Sequence, residues 1–135
     1  SSDWIEFEVL NFVDGDIDFP ETFETIDALV YLPGSVNLGL FSRYQAEDMI
    51  QDFKLNAVGA FLAVKACHAG LKKSGNASIT LMSSVVAQNG MTLHSMVGTS
   101  KGAVEGLVRN LAAELAPKIR VNALALSLVD TPLFL

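Results

Sequence analysis

The sequence holds a single cysteine, Cys67, so no disulfide can form within the chain. That scarcity argues against a disulfide-stapled secreted scaffold and fits a reducing cytoplasm. Positive charge is also sparse, with 9 Lys and Arg against 15 Asp and Glu, a net charge of −6 and a pI near 4.7. Such a chain has no basic stripe to neutralise phosphates, which excludes nucleic acid as an expected partner. Long apolar runs are missing as well. Lys54, Lys65, Lys72 and Lys73 break the most apolar region, well short of the roughly 20 residues that span a bilayer. There is no signal-peptide pattern and no initiator methionine, so the sequence is expected to begin inside a longer protein. What remains, half apolar and 18% charged over 135 residues, is the composition of a globular core of one domain or less.

The periodicity divides that core into strands and helices. Residues 4–12 (WIEFEVLNF) alternate in part and are rich in aromatic and β-branched types, which suits a strand; Asp14-Gly15-Asp16 then signals a turn. Residues 27–32 (DALVYL) form a short apolar run ending at Pro33-Gly34, the pattern of a buried strand delivered to a loop. Over residues 46–73 apolar side chains recur at three- and four-residue steps, predicting one long amphipathic helix closed by Lys72, Lys73 and Gly75. Residues 77–82 (ASITLM) read as a second strand, 101–115 as a second helix and 119–125 as a third strand. Strand and helix alternate, which predicts an α/β protein with a parallel sheet. Ligands of such sheets bind at the carboxyl ends of the strands. The loops concerned begin at Pro33-Gly34, Ser83-Ser84 and Leu126-Ser127.

The runs SITLMSSVVAQNGM and SKGAVEGLVRNLAAELAPKIRVNALALSLVDTPL resemble the second half of the short-chain dehydrogenase/reductase family, and the resemblance covers about residues 26–133. It implies a doubly wound, Rossmann-like, three-layer α/β/α sheet and an oxidoreductase acting on a carbonyl or alcohol with NAD or NADP. DFKLNAVGAF resembles the helix carrying the family's active-site asparagine, which places that role on Asn56. MSSVVA resembles the strand end presenting its serine, here Ser84. Lys101 stands where the family keeps the lysine of a Tyr-x-x-x-Lys motif. VDTPL supplies Val129 and Thr131, positions that in the family touch the nicotinamide amide. Pro33 and Gly34 occupy the end of the strand that flanks the cofactor, and Asn11-Phe12 resembles the strand end beside adenine. No metal site is implied.

The departures bear on function. Four residues before Lys101, and thirteen after Ser84, the family's tyrosine is replaced by Val97. In the family the phenol is the general acid/base, its pKa lowered by the lysine, while the serine hydroxyl holds the substrate oxygen. Valine has no exchangeable proton, and losing a general acid/base costs roughly two to four powers of ten in rate. Where the family reads Asn-Asn-Ala-Gly, this chain reads Tyr31-Leu32-Pro33-Gly34, and its usual Pro-Gly after the last strand is Leu126-Ser127. A glycine-rich turn of the form G-x-x-x-G-x-G, which would offer a helix N-terminus to a pyrophosphate, is also missing. The sequence is therefore expected to be an incomplete domain, 1–135, without the first cofactor-binding unit or the final substrate-binding segment. Such a sheet would leave an open edge beside residues 27–32, to be covered by further residues, by a partner chain or by rearrangement of the N-terminal strand into the gap.

Each candidate also has a structural reading. Ser84 can satisfy backbone at a strand end, and Asn56 can bridge backbone through a water. Lys101, read as opening a helix where a cation is unfavourable, is harder to explain structurally. His94 and Ser95 lie near the vacated tyrosine position, and a histidine has a suitable ordinary pKa for proton transfer. Cys67 and His68 read as packing or interface residues. The small residues Ala57, Gly59, Ala60, Ala63 and Ala66 allow close helix approach. By resemblance this predicts a homodimer or homotetramer through helices 46–73 and 100–115; alternatively they pack on the sheet. A degenerate family member that binds a nucleotide or a protein without turnover is the second functional expectation.

Overall fold

The computed structural model describes residues 24–129. The strand expected over residues 4–12, with Asn11 and Phe12, and the position of Thr131 lie outside the described residues. Strands β1 (Ala28–Tyr31), β2 (Ala77–Ser84) and β3 (Ile119–Leu126) form a parallel sheet in the order β1-β2-β3. Leu29 lies opposite Ile79, and Ile79 opposite Val121. Helices α1 (Ala46–Phe53) and α2 (Gly59–Ser74) connect β1 to β2, and α3 (Ser95–Leu115) connects β2 to β3. The expected α/β alternation is present.

The pleat of β2 sorts its side chains. Ala77, Ile79, Leu81 and Ser83 are buried, while Ser78, Thr80, Met82 and Ser84 are only half-buried. The buried set packs with Ala60, Val64 and Leu71 of α2, Val104 and Val108 of α3, and Ile119 and Val121 of β3 in one core. Leu71, Ile79 and Leu81 are fully enclosed, and each such side chain contributes about 1.5–3 kcal/mol relative to an exposed one. The described residues thus supply the sheet and one helical layer. Helix ends follow local chemistry: the Gln45 amide donates to Asp48 Oδ2 at 2.8 Å to open α1, and Gly75 closes α2 in the left-handed region at φ 74°.

Two expectations are corrected. The single helix predicted over residues 46–73 is interrupted by a π turn at Lys54–Val58. No proline marks it; the Tyr31 hydroxyl, arriving from β1, bonds the Leu55 carbonyl at 2.6 Å instead. Moreover, α3 begins at Ser95, so Lys101 stands in its second turn and not at its start. The small and polar run SMVGTS hides this beginning from an apolar-spacing argument, although Met96, Val97 and Ser100 are all buried there. Of the small residues on the α2 side, Ala57, Ala60 and Ala63 pack into the core beneath the sheet, while Ala66 is exposed. Cys67 is buried, and burial pushes its thiol pKa up.

Candidate functional site

The polar groups gather at the carboxyl ends of β1 and β2. Lys101 reaches there from the face of α3 that also carries Val97 and Val104, and it is 8% exposed. Its Nζ donates to the Met82 carbonyl at 2.9 Å. Burial pushes the ammonium pKa down, and the negative charge of Asp52 acts in the opposite direction. Asn56 sits in the π turn and is buried. Its Nδ2 donates to the Asp52 carbonyl at 2.9 Å and to Ser35 Oγ at 3.0 Å, whereas its Oδ1 is buried with no hydrogen-bond partner.

Gly34 connects these two side chains. A β-carbon on Gly34 would lie 3.1 Å from Asn56 Oδ1 and 3.3 Å from Lys101 Nζ. The unpartnered acceptor and the ammonium therefore converge on one stretch of bare backbone, just past the end of β1. Pro33 beside it is half-buried. The structure thus brings Asn56, Lys101 and Gly34 together.

Ser84, the last residue of β2, accepts the Val86 amide at 3.4 Å and so caps the short 3-10 turn Val85–Ala87. Its structural reading is realised, and its hydroxyl proton remains available to a ligand. Val97 is buried at 4% exposure, one helical turn before Lys101. Val129 follows β3 and is 40% exposed. His94 is the N-cap residue of α3, and its Nδ1 lies 2.7 Å from the Thr92 carbonyl. A carbonyl can only accept, so Nδ1 carries a proton in this contact and Nε2 is the other ring position. His94 also borders an open cavity of about 500 Å³ lined by Val86, Ala87, Gly98, Thr99 and Gly102. That cavity lies on the side of α3 turned away from the Lys101 face.

One participant was not foreseen. Asp52 is 2% exposed. Its Oδ1 accepts Ser35 Oγ at 2.7 Å and Asn37 Nδ2 at 3.2 Å, and its Oδ2 accepts Ser100 Oγ at 2.6 Å. An available signal was its spacing: Asp52 precedes Asn56 by four residues, one helical turn, inside an otherwise apolar helix face.

A parallel sheet with helices packed on it and polar side chains collected at the carboxyl strand ends defines a Rossmann-like α/β protein. The family model described as enoyl-(acyl carrier protein) reductase matches residues 18–134. A tropinone reductase homolog of Arabidopsis thaliana is 38% identical over 109 residues, 80% of this chain and 42% of the relative. The 3-oxoacyl-[acyl-carrier-protein] reductase of Homo sapiens is 34% identical over 122 residues, 84% of this chain and 52% of the relative. Among solved structures, a short-chain dehydrogenase/reductase from Burkholderia xenovorans superposes with a TM-score of 0.74 at 31% identity, covering 80% of this chain and 47% of that one. ElxO with NADP bound superposes at 0.69 and 30% identity, covering 73% of this chain and 41% of that one. The chain belongs to the short-chain dehydrogenase/reductase family. It spans about half the length of the relatives it matches. Among the described residues no helix is long and apolar enough to cross a membrane, and no three His, Cys, Asp or Glu side chains gather as a metal site.

Proposed function

We propose that the protein is an NAD(P)-dependent oxidoreductase acting on a small carbonyl or alcohol substrate, with Ser84, Lys101 and Asn56 at its site and a slow proton-transfer step. The observation that carries this reading is the convergence of Lys101 Nζ and the unpartnered Asn56 Oδ1 on the Gly34 backbone. A buried acceptor left without a partner is costly, and a glycine between it and an ammonium leaves room for a hydroxyl-bearing ligand. A donor and an acceptor so placed suit the hydroxyls of the ribose of NAD or NADP, with Pro33, Gly34, Val129 and Thr131 as further contacts and Asn11 and Phe12 toward adenine. The bound nicotinamide would supply or accept the hydride at the substrate carbon.

The chain's own residues hold the rest of the chemistry. Lys101 offers two further N–H donors beside its bond to Met82. Ser84 Oγ–H can donate to the substrate oxygen. At residue 97 there is no group to move the proton that must reach that oxygen in reduction, or leave it in oxidation. His94, one turn earlier, is the nearest titratable side chain in sequence but borders the cavity on the other side of α3, so it would have to turn to serve residue 97. The protein is further proposed to be cytoplasmic and a homodimer or homotetramer through helices 46–73 and 100–115, a reading supported by the exposure of Phe61 and Val58 on the first of them.

A second reading, a family member that binds nucleotide or protein without turnover, is favoured by Val97 alone. Titration of full-length protein with NAD and NADP, followed by turnover assays of wild type and Val97→Tyr, separates the two. Saturable binding with weak turnover, raised about 100-fold or more by Val97→Tyr, is the expected result. Binding without turnover in both proteins would support the second reading, and no binding of either nucleotide would overturn the first.

A further inference from the structure

We infer that Asp52 is a positioning residue for the site, a fixed buried negative charge that keeps Lys101 protonated and aimed at the Gly34 backbone. The inference deepens the proposed function, since it concerns the same lysine, but it can be tested without any turnover. Lys101 and Asp52 are the buried cation and the buried carboxylate of the described residues. They belong to one cluster yet form no direct ion pair. Lys101 bonds a neutral carbonyl, and the described ion pair of the structure is Arg109 with Glu105. Asp52 is instead clamped by Ser35, Asn37 and Ser100, and Ser100 is the chain neighbour of Lys101. One turn after Asp52, Asn56 points its unpartnered oxygen at the same backbone that Lys101 approaches.

An ammonium removed from water without a nearby negative charge tends to lose its proton. A neutral amine would hold ribose hydroxyls less strongly. The other titratable groups on the surrounding elements do not supply the missing charge. On β1, burial pushes the Tyr31 phenol up to about 12, which leaves it neutral at ordinary pH. Glu47 and Asp48 of α1 are exposed, as are Lys54 in the π turn and Arg120 on β3. On α3 itself Glu105 is engaged by Ser83, Gln88 and Arg109. β2 and the turn after it carry no titratable side chain between Ala77 and Ala87. Asp52 is thus the buried charge left to oppose desolvation of Lys101.

The test follows the Lys101 side chain by carbon-13 NMR in full-length protein labelled at lysine, its signal assigned by its absence in Lys101→Met. The titration of Lys101 should move to lower pH in Asp52→Asn than in wild type. An unchanged titration would overturn the inference. Asparagine also disturbs the donors around residue 52, so stability is measured in parallel by urea unfolding of wild type, Asp52→Asn, Lys101→Met and the double variant. The loss caused by Asp52→Asn should shrink in the Lys101→Met background, because no buried cation is then left unopposed. Equal losses in both backgrounds would overturn it. If Asp52→Asn alone does not fold, folding regained in the double variant supports the inference and folding still absent sinks it. Neither measurement uses a nucleotide, so failure to bind NAD or NADP would count against the proposed function and leave this result standing.

Discussion

The Tyr31 hydroxyl donates to the Leu55 carbonyl at 2.6 Å and fills the space that Gly59 leaves by having no side chain. The contact fastens the end of β1 to the π turn that carries Asn56, so the sheet edge fixes where that side chain points. Alanine at residue 59 would normally favour a helix by about 1 kcal/mol. Here its β-carbon would collide with the Tyr31 oxygen, and overpacking of this kind costs about 1–3 kcal/mol. Gly59→Ala is therefore expected to destabilise the protein, and Gly59→Ala with Tyr31→Phe to recover most of the loss. Urea denaturation of the three variants checks it; a stabilised Gly59→Ala would contradict the packing.

The same phenol predicts an alkaline loss of stability. Burial raises the Tyr31 pKa from 10.0 to about 12 in the fold, so the unfolded chain gives up its proton first. Stability is then lost as pH rises from about 10 to about 12, by up to about 3 kcal/mol at 1.4 kcal/mol per unit. Lys101, whose folded pKa is depressed, acts in the opposite sense as pH approaches its ordinary range. Comparing wild type with Tyr31→Phe isolates the phenol. The variant should lose about 1 kcal/mol at neutral pH for the missing hydrogen bond and show a flatter curve above pH 10.

Most of this architecture was legible in the sequence, for reasons that particular residues make plain. The apolar runs over residues 27–32 and 77–82 locate β1 and β2, although β1 stops one residue earlier, at Tyr31, and β2 runs on through Ser83 and Ser84, whose polarity hid that they continue the pairing with β3. The π turn was not legible, because the contact that accompanies it comes from Tyr31, a residue of a different element. The start of α3 was hidden because SMVGTS packs through Met96, Val97 and Ser100 without an apolar stripe. Asp52 was passed over for a related reason. A carboxylate on a helix is ordinarily a solvated one, and only the approach of Ser35, Asn37 and Ser100 from elsewhere in the chain makes it a buried one.

Glu105 separates a useful contact from a decorative one. Ser83 is 3% exposed and donates to Glu105 Oε1 at 2.9 Å. Arg109, 71% exposed, only approaches the same carboxylate at 3.8 Å. Ser83→Ala removes a charge-assisted bond from a buried position and is expected to cost about 1–2 kcal/mol. Arg109→Ala breaks an exposed pair and is expected to cost less than about 0.5 kcal/mol. Thermal or urea unfolding of the two variants should rank them in that order, and the reverse order would show that the surface pair matters more than its geometry allows.

Gly34→Ala tests the site with the smallest possible change. The added β-carbon would stand 3.1 Å from Asn56 Oδ1 and 3.3 Å from Lys101 Nζ, close enough that one of them must yield. Lys101 has a flexible stem, whereas Asn56 is held by two bonds from its Nδ2, so the lysine is the side chain expected to move. Its bond to Met82 would lengthen, at a stability cost of no more than about 1 kcal/mol. The cost to ligand binding should be larger, because the methyl group occupies the space toward which both polar atoms point. We expect nucleotide affinity to fall about tenfold or more, equivalent to about 1.4 kcal/mol, while urea unfolding changes little. Equal affinity in Gly34→Ala and wild type would mean that the ligand does not approach this backbone, and the site would then have to be sought elsewhere along the carboxyl ends of the strands.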